Sequence, residues 1–259
     1  MIRDNALLNL TEYLKQRFNN VVLNYDETVI AVIRPLSFIL LVADFMQNSF
    51  TPIYVTKIYE PIFNLPAEIG IAIPLSAEVC TTAIFAWLGG SLKTKLGLKK
   101  LLFSGATISL LGFLICGILP NVIVFTIGKA VIGIGMGFVH VALLTFISEA
   151  DNEKILSDGY AYYFASYFAA INIGCVIGGS LANFIGQRQV YFVAAATILG
   201  GIALGLYLLK NVALNISPKV SKTEQSKISI GKFLINPKII SFFFFIFIIV
   251  LINFIFFFF

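Results

Sequence analysis

The chain has 259 residues, 59% of them hydrophobic and 12% charged, with a net charge of +5 and a mean hydropathy of +0.94. A soluble domain carries about 25% charged and roughly 45–50% apolar residues, and at this length it could not hide such an apolar surplus from water. These numbers exclude a soluble enzyme, a secreted disulfide scaffold and a disordered chain, and they leave a polytopic helical membrane protein.

Residues 1–33 place Leu7, Leu10, Leu14, Phe18 and Val21 at helical spacing. They read as a cytoplasmic amphipathic segment that lies along the inner membrane surface or is the remnant of an upstream domain. No signal-peptide core precedes them. A helix needs about 20 apolar residues to cross the hydrocarbon core. Residues 34–210 hold six such runs: Leu36–Thr56, Ile69–Leu92, Leu101–Leu119, Val122–Ile147, Tyr160–Ile185 and Val190–Leu209. They are too long, and alternate too little, for barrel strands. Asn64-Leu-Pro66-Ala-Glu68 reads as a helix start, and Pro120-Asn121 as a tight break. Residues 211–237 form a basic cytoplasmic linker. Residues 238–259 are a seventh hydrophobic span, rich in Phe and Ile with no charge after Lys238, which reads as incomplete.

Cys80, Cys116 and Cys175 lie in three separate apolar runs, where a thiol behaves as a small hydrophobe. No nucleophile–base pair, HExxH, P-loop or metal-ligand spacing is present, so neither an enzyme nor a cofactor is expected. The cations flank hydrophobic spans rather than forming a nucleic-acid patch. With a cytoplasmic N-terminus, fifteen Lys and Arg fall on inner segments, and only Lys57 and Arg188 on outer ones. That bias orients the chain by the positive-inside rule.

The segment Gly89-Gly-Ser-Leu-Lys-Thr-Lys-Leu-Gly97-Leu-Lys99 recurs as Gly178-Gly-Ser-Leu-Ala-Asn-Phe-Ile-Gly186-Gln-Arg188. The first copy follows span two on the inner side, and the second follows span five on the outer side. Copies three spans apart on opposite faces are what a 3+3 inverted repeat produces. Within the first copy, Gly90, Thr94, Lys95, Gly97, Lys99 and Lys100 resemble the loop 2–3 signature of the major facilitator superfamily, Gly-x-Leu-x-Asp-Arg-x-Gly-Arg-Lys. Lys129-Ala-Val-Ile-Gly133-Ile-Gly135-Met-Gly137 is similar to that family's span-four motif, with Lys in place of Arg. Gly174-Cys175-Val-Ile-Gly178-Gly179 is similar to the end of its span-five antiporter motif, with Cys in place of Pro. The resemblance covers Arg34 to Leu209. It implies an all-α polytopic membrane fold: one six-helix half, plus a partial seventh span, of a twelve-helix transporter. The loop acid is Thr94 here, so the salt bridge that acid supplies elsewhere has no counterpart. Gly133, Gly135, Gly137, Gly174, Gly178 and Gly179 are expected to permit close helix contact, since lipid supplies no hydrophobic drive between helices.

A charge at the bilayer centre costs about 2.5–3.5 kcal/mol on insertion scales, and three lie inside spans: Asp44, Glu78 and Lys129. At 1.5 Å per residue, Asp44 is roughly 12 Å from the inner end of span one, and Glu78 roughly 14 Å from the outer end of span two. Ser37, Asp44, Asn48 and Thr51 stack on one face of span one. Lys129 and His140 share a face of span four, about three turns apart. Each admits two readings. Asp44 or Glu78 forms a static pair with Lys129, or acts as a coupling carboxylate with its proton affinity raised by burial. Lys129 is a counter-ion to an anionic solute or to the protein, and His140 is a packing residue or a relay. Tyr160, Tyr162, Tyr163 and Tyr167 read as an interfacial belt, with substrate contact from Tyr167 as the other reading.

The expected function is secondary transport of a small solute by alternating access in a cell membrane, a bacterial inner membrane first, with protons as the candidate coupling ion. The substrate and proton pathway would run through Asp44, Asn48, Thr51, Glu78, Lys129 and His140. The alternative is a non-transporting truncated half or a membrane interaction subunit. The expected partners are the lipid bilayer, the solute, and a second half or another copy, with no nucleic acid.

Overall fold

The computed structural model describes residues 25–59, 67–118, 120–210 and 241. The chain divides into two compact units, Met1–Asn215 and Ile216–Phe259. Of the second unit only Ser241 is described, so the linker and the seventh span lie outside the described residues, as does most of the N-terminal segment.

Seven helices make up the described chain: α1 Tyr25–Phe45, α2 Thr51–Ile58, α3 Ala67–Leu96, α4 Leu98–Ile118, α5 Val122–Ser148, α6 Glu153–Phe184 and α7 Gln187–Leu208. Among the described residues, five helices are long and apolar enough to cross a membrane, namely α3 to α7. The first span departs from expectation. The helix starts by Tyr25 rather than Leu36, so a boundary at residue 33 cuts through it, and it stops at Phe45. Pro52, in the first turn of α2, accounts for the break: it has no N–H to give the carbonyl of Asn48, and its ring crowds that group. Residues 46–50 turn instead, with Asn48 N–H bonding the Phe45 carbonyl at 3.2 Å and Thr51 N–H bonding the Gln47 carbonyl at 3.0 Å.

Polar capping marks the other ends. The Asn121 side chain accepts from the N–H groups of Ile123 and Val124 at 2.9 and 3.3 Å. Asn152 does the same for Lys154 at 2.9 Å. Each satisfies donors that a helix start leaves open.

The most covered of the five spanning helices is α5, which packs on α3 and α4, while α1 packs on α6 and α7, and α4 on α7. Glycines set the approach. A Cβ on Gly137 would sit 2.7 Å from the Thr82 carbonyl oxygen, one on Gly133 3.0 Å from Thr82 Oγ1, and one on Gly135 would run into Gly105 and Ser109. Across the bundle, a Cβ on Gly174 would lie 3.0 Å from Phe45 Cβ, and one on Gly178 would meet the Met46 carbonyl. Gly179 is looser, its nearest neighbour being Ser49 Oγ at 3.3 Å, and Gly90 has open space.

The two repeat corners are built alike. Gly97 and Gly186 have φ of +77° and +95°, a region glycine enters without steric cost. The expected loop between spans two and three shrinks to Gly97 alone, so Lys95 belongs to α3, and Lys99 and Lys100 to α4. Thr94 is in α3, and its side chain is outside the described set. Lys99 Nζ donates to the Leu209 carbonyl at the end of α7 at 2.6 Å. Reciprocally, Arg188 at the start of α7 donates from Nε to the Gly117 carbonyl at 2.6 Å, and also to Ile118, at the end of α4. Cations here satisfy orphan carbonyls and meet the negative helix end.

Candidate functional site

Lys129 faces α3, not solvent, and only 1% of its side chain is exposed. An ammonium in such a place needs a partner, and Glu78 supplies one: Nζ to Oε2 is 2.6 Å. The α3–α5 contact that brings them together is the one Gly133 and Gly137 allow. Thr81 reinforces it by donating to the Ala130 carbonyl at 3.0 Å.

The other Glu78 oxygen accepts from Gln47 Nε2 at 2.6 Å. The same nitrogen lies 3.5 Å from Asp44 Oδ1, a long contact at the limit of hydrogen bonding. Gln47 therefore joins the half-buried Asp44 on α1 to the Glu78–Lys129 pair. It is itself 1% exposed, and among the described residues its Oε1 has no hydrogen-bond partner. The orientation of the amide follows from chemistry: turning it over would aim the carbonyl oxygen at two carboxylates. Among the described residues Lys129 pairs with Glu78, and Asp44 has no cation within ion-pair distance.

The turn at 46–50 breaks up the polar stripe expected on span one. Ser37 and Thr51 are buried, Asp44 is half-buried and Asn48 is exposed. Asn48 thus stands outside the network, in a place the sequence reading had given to the pathway, and Gln47, absent from that reading, takes the central position. Thr51 leaves the network too, donating to the Gln47 carbonyl at 2.6 Å and sharing a 2.8 Å hydrogen bond with the Tyr191 hydroxyl. Phe50, Tyr54 and Phe125 crowd Tyr191 with ring centroids 5.5–6.0 Å away.

His140 shares α5 with Lys129 but serves a different neighbour. Its Nδ1 lies 2.7 Å from the Tyr163 hydroxyl on α6. Tyr163 is 3% exposed, which removes it from an interfacial belt. Tyr167, one turn on, stacks edge-on against Phe45 at 5.2 Å, beside Asp44 in sequence. Tyr162 instead takes the Arg34 guanidinium on its ring face at 5.7 Å. The sequence signal for the His140–Tyr163 pair is thin, because hydroxyl and imidazole come from different helices.

Among the described residues no cluster of three His, Cys, Asp or Glu could hold a metal. Cys80, Cys116 and Cys175 are free thiols.

Residues 36–259 match the Major Facilitator Superfamily. The chain is 24% identical over 174 residues to the inner membrane transport protein YajR of Escherichia coli K12, an alignment covering 67% of this chain and 37% of that protein. It is 28% identical over 139 residues to the MFS-type transporter thnB of Trichoderma harzianum, covering 51% of this chain and 23% of that one. The matched regions therefore span less than two fifths of either relative.

Proposed function

The chain belongs to the Major Facilitator Superfamily and is a multi-pass membrane protein, and from that premise we propose that it acts in secondary transport of a small solute by alternating access. The membrane is a cell membrane, the bacterial inner membrane in the first instance, with the N-terminus and the Gly97 corner cytoplasmic. The observation that carries the reading is the buried constellation of Asp44, Gln47, Glu78 and Lys129, which joins three helices. Intramembrane charge on this scale is expensive, and one paired ammonium and carboxylate would suffice to hold α3 to α5. The extra carboxylate, Asp44, is the group available for binding or coupling. A second six-helix half or another copy of the chain completes the cavity, and the broad uncovered faces of α3 and α6 suit that arrangement.

The test is ion and solute flux in proteoliposomes carrying the 259-residue protein, read with an entrapped pH dye and labelled solutes. Asp44→Asn is expected to lower flux by at least tenfold while the protein still inserts. Undiminished flux in that variant would remove Asp44 from the mechanism. Absence of flux from the unmodified chain for every solute tried would favour the reading of a half that does not transport alone.

A further inference from the structure

The first span is made in two pieces, and they are held differently. The inner piece is pinned up to its end. A Cβ on Gly174 would lie 3.0 Å from Phe45 Cβ, and one on Gly178 would meet the Met46 carbonyl. Gln47 then donates to Glu78 at 2.6 Å. From there the contacts slacken: Ser49 Oγ is 3.3 Å from where a Gly179 Cβ would stand. The chain restarts as the eight-residue α2 with no side chain capping it. A turn between two helices, followed by Pro52, is the kind of short segment that absorbs a hinge rotation.

The buried face of α2 is Thr51, Tyr54 and Val55. The Thr51 hydroxyl gives its hydrogen to the Gln47 carbonyl at 2.6 Å, so in the 2.8 Å contact with Tyr191 the tyrosine donates. The Tyr54 ring stands edge-on to Phe125 at 5.4 Å and 6.0 Å from Tyr191. Its hydroxyl is sealed, and among the described residues it has no hydrogen-bond partner. A buried hydroxyl without a partner disfavours the shut arrangement, and water would satisfy it if α2 moved away. Beneath this cover lies the fully buried Cys116, two residues from the end of α4, with Sγ 3.7 Å from the Phe125 carbonyl. We propose that α2 is a hinged lid over this end of the bundle, pivoting between Gln47 and Thr51, latched by the Tyr191–Thr51 hydrogen bond and urged open by the orphaned Tyr54 hydroxyl. A helix that only packed would have no use for that hydroxyl, since phenylalanine fills the same space. The lid is defined without a solute. The transporter reading gives it a purpose, to admit and release solute at the end of the bundle opposite the Gly97 corner.

Native thiols make the lid measurable. The chain has three cysteines, and replacing Cys80 and Cys175 by serine leaves Cys116 as the reporter. The experiment follows the rate at which a charged, water-soluble maleimide labels it in the purified full-length chain in lipid nanodiscs. Thr51→Val and Tyr191→Phe both remove the latch. Each is expected to speed labelling at least fivefold, and the double variant no further than the faster single one; Tyr191→Phe stands in if the valine variant fails to fold. Adding Tyr54→Phe to a latch variant is expected to slow labelling at least threefold, because the group that favours opening is gone. A second reporter, Ala170→Cys in a chain without other cysteines, is fully buried on α6, and its labelling should not respond. Unchanged Cys116 labelling in the latch variants, no slowing by Tyr54→Phe, or equal acceleration at Ala170→Cys would each overturn the lid, the last by showing general loosening. Latch-dependent labelling in a chain that moves no solute keeps the lid and overturns transport by the chain alone. Solute flux without latch-dependent labelling does the reverse.

Discussion

The helices α1 to α4 and α5 to α7 agree at their ends and differ in their middles. At the corners, Gly97 with Lys99 and Gly186 with Arg188 have the same design: a glycine at positive φ, then a cation two residues on that caps the other repeat's last helix. Between the corners the first repeat carries Asp44, Gln47 and Glu78, whereas the second carries Lys129, His140 and Tyr163. Counting back from the corners by the same register sets Glu78 against Tyr167. Ends are alike because reversing a chain and closing a helix pose one problem with few solutions. Middles are free to diverge, and here they diverge in charge, so that the two repeats attract each other across α3 and α5.

The sharpest way to break the comparison is Glu78→Ala. It strands Lys129 at 1% exposure, and removing one partner of a buried pair costs about 3–5 kcal/mol. A large drop in melting temperature in detergent is expected, with much of it recovered in the double variant Glu78→Leu, Lys129→Met. Retention of full stability by the single variant would show that the pair is not what joins the two repeats. Next comes Gly137→Ala, whose methyl would press 2.7 Å from the Thr82 carbonyl oxygen. Overpacking of this kind costs about 1–3 kcal/mol, whereas Gly90→Ala, into open space, should leave the melt unchanged.

The corners give smaller effects and test their likeness. Arg188→Ala loses donors to two carbonyls, and Lys99→Ala loses the donor to the Leu209 carbonyl. A loss of about 1–2 kcal/mol is expected for Arg188, since hydrogen bonds from charged groups contribute roughly 1.5–3 kcal/mol before exposure weakens them, and Lys99→Ala should also lower the melt. An unchanged melt in either variant would mean that its cation does not cap the helix end it meets. Smallest is Glu149, which follows α5. Burial lifts its carboxyl above the ordinary value, opposed by attraction to Lys93 on α3. An acid with raised affinity in the folded state costs stability once pH exceeds its unfolded value. Glu149→Gln should therefore melt slightly higher than the parent at pH 7, with the gain fading as pH falls to about 4.5. A gain independent of pH would point away from charge.

Much of the architecture was legible in the chain because hydrophobic length and punctuation act locally. The runs behind α3 to α7, the Asn121 cap and the two glycine corners all follow from residues within a few positions of one another. The first span was misjudged for a reason also present in the sequence: Pro52 withdraws one N–H and redirects the polar stripe, so Asn48 turns outward and Gln47 inward. The Tyr163 contact with His140 was hidden because a tyrosine near a helix end looks the same whether it meets lipid headgroups or a neighbouring helix.

The sequence by itself therefore determined that this is a membrane protein, where its apolar helices lie, and that Asp44, Glu78 and Lys129 are out of place in lipid. Only the tertiary structure decided that Lys129 belongs to Glu78, that Gln47 stands between the two acidic side chains, and that Asp44 is the acid without a cationic partner among the described residues. Apolar length is a property of a segment, whereas pairing depends on which helices the glycines let touch, and no segment carries that information alone.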